Sequence, residues 1–216
     1  MRIEALTVGE FQVNCYIVSG DGARAIVIDP GADAHLIQDF LARRRLSVCV
    51  YVLTHGHMDH IGALAELHAA FPAPVGLHPD DLKWAFGAAN QMPPFYPAPR
   101  ACPVERSLRD GQMWTDAGLT YSVIESPGHT PGSVCLYFPT EGAVFTGDTL
   151  FAGSVGRTDF PGGSARLLAA SLAGLARLPD TTMVYPGHGP DTDIGQEKQT
   201  NEFMPGAAGG YTRPCG

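Results

Sequence analysis

Residues 48–53 read Val-Cys-Val-Tyr-Val-Leu, and this unbroken apolar run restricts the fold more than any other feature of the chain. A strand with one wet face alternates apolar and polar side chains, whereas a run without alternation needs cover on both faces. The chain around it supplies such cover. Residues 32–45 place Leu36, Ile37, Phe40 and Leu41 at helical spacing. After the run, Asp59 stands where it would cap a second helix, with Ile61, Leu64 and Leu67 as its apolar face.

The rest of the chain repeats this pairing. Strands are expected at 3–8, 13–19 and 25–29, with a hairpin turn at 19–22. A short strand follows at 75–77 and a short helix at 80–88. Residues 93–103 are too rich in proline for a regular element. Asp110-Gly111 opens a second strand-rich stretch, with strands at 119–125, 133–138 and 143–146. A helix at 165–178, a strand at 182–185 and a last helix carrying Lys198 complete it. Strands then helices, twice over, predict two β/α halves packed as a sandwich with helices outside. The domain is expected to span 1–203, with a Gly-rich tail at 204–216.

Charge and cysteine content narrow the function. The net charge of −8, from 14 basic and 22 acidic residues, opposes binding to a phosphate backbone, so nucleic acid is not an expected partner. No apolar run approaches the ~18 residues of a membrane-spanning helix. The opening Met1-Arg2-Ile3-Glu4 lacks a secretion signal, so the expected location is cytoplasmic. Cys15, Cys49, Cys102, Cys135 and Cys215 are scattered and never spaced as C-x-x-C. They read as reduced, structural thiols rather than a redox pair or a thiolate zinc site.

The chemistry collects at histidines. Thr54-His55-Gly56-His57-Met58-Asp59-His60 directly follows the buried strand. In extended chain, side chains two apart point the same way, so His55 and His57 can reach one metal while Asp59 and His60 face a neighbouring point. Imidazole and carboxylate without thiolate is the ligand chemistry of a catalytic rather than a structural zinc site. Three later strands also end in Gly-containing turns that present one metal-competent side chain each, namely His129, Asp148 and His188. The loops bearing these groups are expected to face solvent. His35, His68 and His78 read as surface or capping residues.

This run, His55-x-His57-x-Asp59-His60 followed by His129, Asp148 and His188, resembles the metallo-β-lactamase superfamily. The resemblance extends from the first strands to about residue 203. It implies an α/β fold, the αββα sandwich, with the metal site at one edge of the two sheets. It also implies that His55, His57 and His129 hold one metal, that Asp59, His60 and His188 hold a second, and that Asp148 bridges them. Two zinc ions are the implied cofactor, with iron or a mixed iron–zinc pair as variants.

Within the superfamily the text is closest to the short, single-domain bacterial relatives of glyoxalase II, which hydrolyses glutathione thioesters. The matching segments are 128–133, 147–153, 156–160 and 187–201. Arg157 falls where that branch places a substrate-contacting Lys, so it is the candidate to hold a substrate carboxylate in bidentate fashion. Two features depart from the branch: Pro190 stands in place of a Tyr, and the helical domain that clamps glutathione has no counterpart after His188.

The implied reaction is hydrolysis of a small thioester by a metal-bridging hydroxide, with Asp59 and Asp148 as the catalytic carboxylates. A thiolate departs without a proton donor, whereas a lactam nitrogen needs one, and no spare acid stands out near the motifs. Two alternatives share these residues. One is a mononuclear iron glutathione persulfide dioxygenase using His55, His129 and Asp148. The other is a non-catalytic metal scaffold. Lys198 reads as a solvated charge or a partner for the last helical carbonyls. Trp84, Phe86, Met92, Phe95 and Tyr96 form an apolar insert that walls a pocket, seats a second copy or serves ordinary packing, the chain being a monomer or homodimer.

Overall fold

Period-two alternation sorts the strand residues into separate apolar layers. In the computed structural model, which describes residues 1–20 and 22–205, Ala25 and Val27 of one strand join one core cluster. Ile26 and Ile28 of the same strand join another. Val50 and Val52 lie in that second cluster, whereas Tyr51 and Leu53 lie in the first. The unbroken apolar run is thus a strand covered on both sides, because successive side chains serve two layers.

The first half contributes β1 (Arg2–Val8), β2 (Val13–Ser19), β3 (Arg24–Ile28), α1 (Ala34–Arg44), β4 (Ser47–Val52), α2 (Met58–Ile61), α3 (Leu64–Ala70), β5 (Val75–Leu77), α4 (Pro79–Leu82) and β6 (Arg106–Ser107). Its six strands form one sheet in sequential order. The sheet is antiparallel from β1 to β3 and parallel from β3 to β6. The second half contributes β7 (Met113–Asp116), β8 (Leu119–Glu125), β9 (Val134–Phe138), β10 (Ala143–Gly147), β11 (Leu150–Phe151), β12 (Ser154–Val155), α5 (Ala165–Leu175), β13 (Met183–Pro186), β14 (Thr192–Asp193) and α6 (Ile194–Thr200). Its sheet runs β14-β13-β10-β9-β8-β7, and β11 and β12 form a separate hairpin.

Three apolar layers hold these parts together. Between the sheets, Tyr121 stacks on Phe138 and Phe145 on Tyr185, each at 5.1 Å between ring centroids. Outside the first sheet, Ile37 and Leu41 of α1 and Leu64 and Leu67 of α3 pack on Cys15, Ile17 and Val27. Outside the second, Leu168, Leu172 and Leu175 of α5 cover Cys135, Val144 and Val184. Each such fully buried side chain contributes about 1.5–3 kcal/mol. The expected αββα sandwich is what forms.

Several local expectations change. The helix expected at 80–88 is one four-residue turn, Pro79–Leu82, followed by further turns. His78 is a capping residue, accepting from the Asp80 N–H, but it is buried and also bonds Glu125 at 3.0 Å. Lys198 pairs with Asp180 at 2.6 Å rather than with solvent or helical carbonyls. Met204 is buried in the α5 cluster. Cys15, Cys102 and Cys135 are free thiols. Cys215 and the rest of the tail at 206–216 lie outside the described residues, as does Asp21 in the predicted hairpin turn. Among the described residues, no helix is long and apolar enough to cross a membrane.

Candidate metal centre

The two sheets are stitched together at one edge by main-chain bonds, and the strand-end turns meet there. The Val134 N–H donates to the Thr54 carbonyl at 2.8 Å, and the Asn14 N–H donates to the Gly187 carbonyl at 2.8 Å. The Gly187 N–H in turn donates to Gly147 O at 2.8 Å. Two glycines allow this approach. Gly147 has φ +48°, and a Cβ there would strike the Thr54 hydroxyl. A Cβ on Gly187 would fill the space occupied by the Asp148 carboxylate.

Seven side chains converge at this edge. His55, His57 and His129 place one nitrogen each within 4.8 Å of one another, as do the donor atoms of Asp59, His60 and His188. The i, i+2 reading of His55 and His57 holds, with ring centroids 4.9 Å apart. Asp148 lies between the groups. Its Oδ1 is 3.3 Å from His60 Nε2, and its Oδ2 is 3.5 Å from His129 Nε2 and 3.6 Å from His188 Nε2. All seven except Asp148 and His188 are buried, and those two are only partly exposed, so the loops do not face solvent as expected. Asp59 also differs from expectation. His57 occupies the cap position of α2, and Asp59, inside the first turn, directs its carboxylate to His188 at 3.6 Å.

The outer nitrogen of each ring reveals what the inner one presents. His129 Nδ1 donates to the Arg157 carbonyl at 2.8 Å, and His188 Nδ1 to the Phe11 carbonyl at 2.9 Å. His60 Nδ1 bonds Asp29 Oδ2 at 3.0 Å. His55 Nδ1 lies 3.1 Å from the Thr54 hydroxyl, which itself donates to Asp29 Oδ2 at 2.6 Å. These partners all accept, so each of the four rings, in its neutral form, carries its proton outward and aims an Nε2 lone pair inward. Buried inside, His55 Nε2, His60 Nε2 and Asp148 Oδ1 have no hydrogen-bond partner. Converging lone pairs and carboxylates, three of whose atoms lack any donor, fit divalent cations, and no thiolate is among them.

The electrostatics divide the same way. Burial, with His60, His129 and His57 alongside, drives the His55 pKa well below the usual value. Burial and His129 lower His57 to about 4. Burial also works against charge on His60, but Asp148, Asp59 and Asp29 outweigh it and raise its pKa well above normal. His188 is raised against burial by its bond to Asp59 and by Asp148. Both carboxylates are depressed despite burial, chiefly by His60.

Sequence reasoning missed three supporting residues. Asp29, at positive φ (50°) where β3 ends, accepts from the Thr54 N–H and hydroxyl and from His60. It falls within 4.8 Å of His55 and His60 as well, but both its oxygens are already engaged. Asp81, fully buried, accepts from the Gly56 N–H at 2.9 Å, the Thr130 hydroxyl at 2.7 Å and the Gly132 N–H at 2.8 Å. It ties the His55–His57 turn to the turn bearing His129. Asn90 donates to Gly56 O and accepts from the Met58 N–H. A signal was present for Asp29, since Asp29-Pro30-Gly31 is another strand-end turn with a carboxylate. Asp81 and Asn90 carried none.

The guanidinium of Arg157 is closed on Asp159 through two 2.7 Å bonds and lies 3.9 Å over the Phe160 ring. Its carbonyl, not its side chain, touches the site. Beside His57 opens a cavity of about 590 Å³, and Arg157 is not among its lining residues. From the apolar insert, Trp84 and Met92 wall this cavity. Phe86 packs in the core, and Phe95 and Tyr96 lie against Phe11.

A sandwich with this edge site defines a class of metal-binding αββα proteins, and comparison with known proteins agrees. The family model described as the metallo-beta-lactamase superfamily matches residues 8–188, and the chain belongs to that superfamily. It is 34% identical to the hydroxyacylglutathione hydrolase GloC of Haemophilus influenzae, covering 94% of this chain and 98% of that one. Among solved structures, the BLEG-1 B3 metallo-beta-lactamase superposes with a TM-score of 0.90 at 38% identity, covering 95% of this chain and 100% of that one. TTHA1623 in a di-iron-bound form gives 0.84 at 41% identity, covering 93% and 100%.

Proposed function

We propose that this protein is a metal-dependent hydrolase that cleaves a small-molecule thioester. The observation that carries the reading is the inward convergence of imidazole lone pairs on Asp148, with His55 Nε2, His60 Nε2 and Asp148 Oδ1 buried and unpartnered. His55, His57 and His129 would hold one cation; Asp59, His60 and His188 would hold a second, and Asp148 would join them. Zinc and iron both suit this donor set, and the di-iron form of a relative supports iron as a variant. When bound, such cations polarise an acyl carbonyl and bring the pKa of a solvent molecule near neutrality.

The protein's own contribution is positioning. Arg157 O, Phe11 O and Asp29 fix the tautomers of His129, His188 and His60. Asp59 and Asp148 are the carboxylates able to accept a proton from attacking water. Apart from His57, itself a candidate metal ligand, the cavity lining carries no ionisable side chain, so a nitrogen leaving group would find no spare acid there, whereas a thiolate needs none. Thioester cleavage also matches the name of the Haemophilus relative, a hydroxyacylglutathione hydrolase. Asp59, His60 and His188 are better explained by a two-metal site than by a mononuclear oxygenase.

Metal-loaded protein should turn over S-D-lactoylglutathione or an aryl thioester in anaerobic buffer, and a chelator should abolish the activity. A β-lactam hydrolysed faster than every thioester, or turnover dependent on dioxygen, would defeat the proposal.

A further inference from the structure

The cavity beside His57 has walls from four separate segments, and nearly all of them are apolar. Met58 follows His57 directly, Trp84 and Met92 come from the stretch between α4 and β6, Pro131 follows His129, and Phe160 lies beyond β12. The Trp84 and Phe160 rings stand 5.3 and 5.8 Å from the His57 ring, so the apolar walls reach a side chain of the metal centre. The volume of about 590 Å³ is in the range of small-molecule sites.

Apart from His57, the buried polar side chain of this lining, Asn90, is already committed. Asn90 donates to Gly56 O and Ala85 O and accepts from Met58 N–H, leaving little for a ligand. Gln91 is exposed. The nearby cation, Arg157, is bound by Asp159 across the face of Phe160. A ligand group carrying carboxylates would lose its hydration here without gaining a counter-charge, which is costly. An apolar group would gain about 25 cal/mol for each Å² it buries.

Resting on the thioester reading above, we infer that this cavity takes an uncharged apolar group of phenyl or hexyl size next to the scissile carbonyl. Trp84 and Phe160 are its specificity-determining walls. The group can be attached on the acyl side or on the sulfur side, and the test separates the two.

The full chain, metal-loaded, is assayed on acetyl and phenylacetyl thioesters of glutathione and of N-acetylcysteamine, and on S-benzyl thioacetate. Acetate and phenylacetate binding are titrated alongside. A phenylacetyl over acetyl ratio in kcat/KM of about tenfold or more on either carrier places the group on the acyl side. A similar gain confined to S-benzyl thioacetate places it on the sulfur side. In either case Trp84→Ala should collapse the ratio and Trp84→Phe retain it. Equal rates across apolar and small groups, or preference for glutathione regardless of the acyl group, would overturn the inference. If no thioester turns over while phenylacetate still binds at least tenfold tighter than acetate, the thioester reading falls and the cavity assignment stands. Equal binding together with no turnover removes both.

Discussion

The two halves of the metal centre solve the burial of polar groups in opposite ways. The cluster of His55, His57 and His129 holds no carboxylate of its own, and burial keeps His55 and His57 uncharged, His57 down to about 4. The cluster of Asp59, His60 and His188 contains an acid and borders Asp148, and there the imidazole pKa values rise despite burial. In the second cluster protons can stand in for a cation; in the first they cannot. Supports divide only in part. Asp81 and Asn90 brace the turn of the first cluster and the Phe11 carbonyl braces a ring of the second, whereas Asp29 holds His60 directly and His55 through the Thr54 hydroxyl.

Asp148 belongs to both halves, so its loss should have the largest effect. Asp148→Ala is expected to reduce metal content in both clusters and lower turnover by about three orders of magnitude. That corresponds to several kcal/mol of lost cation stabilisation at 1.36 kcal/mol per tenfold. Metal analysis and kcat/KM check it, and full metal content with full rate would remove Asp148 from the centre. Replacing a ring in one half should split the effect. His57→Ala should cost one metal equivalent and His188→Ala the other, so spectra of cobalt-substituted protein should lose different features in the two variants. Loss of both metals from each variant would show that the halves are not separable.

The braces should act more weakly and selectively. Asp81→Asn puts an amide N–H against groups that already donate, and should weaken the first metal about 10–100-fold. Asp29→Asn, which disturbs His60 directly and His55 only through Thr54, should weaken the second metal more than the first. Competition with a chelator measures each, and a swap of the two outcomes would contradict the assignment of braces to halves.

Acid should distinguish the halves in metal-free protein. His57 is lowered when folded, so unfolding takes up a proton between its ordinary value and about 4. Its contribution to stability is therefore complete above about pH 6.5 and is lost as the pH falls toward about 4. His60 and His188 are raised. Their contribution is complete below about pH 6.5 and is lost as the pH rises through their folded values. His57→Gln should flatten the acid limb of the melting curve, and His188→Gln the alkaline one. An unchanged profile in both variants would contradict these directions. The smallest effect belongs to Arg157→Ala, which keeps the carbonyl bound by His129 and should leave metal content unmoved.

Sequence alone determined the sandwich and the ligand candidates, because both are written in local spacing. Unbroken apolar runs at 25–28 and 50–53 dictate two covered faces, and a strand end places His55 and His57 on one side. Those rules act over a few residues and need no knowledge of distant chain. Tertiary structure decided which groups brace which, because each brace joins segments far apart. Asp29 meets Thr54 and His60 only when β3 lies beside β4, and Asp81 meets Thr130 only when the two halves close. It also decided that Arg157 turns to Asp159, that Asp59 is drawn inward rather than capping a helix, and that Trp84 and Phe160 share one cavity. Such choices follow from the competition of many weak contacts for the same space, and no short stretch of sequence contains that competition.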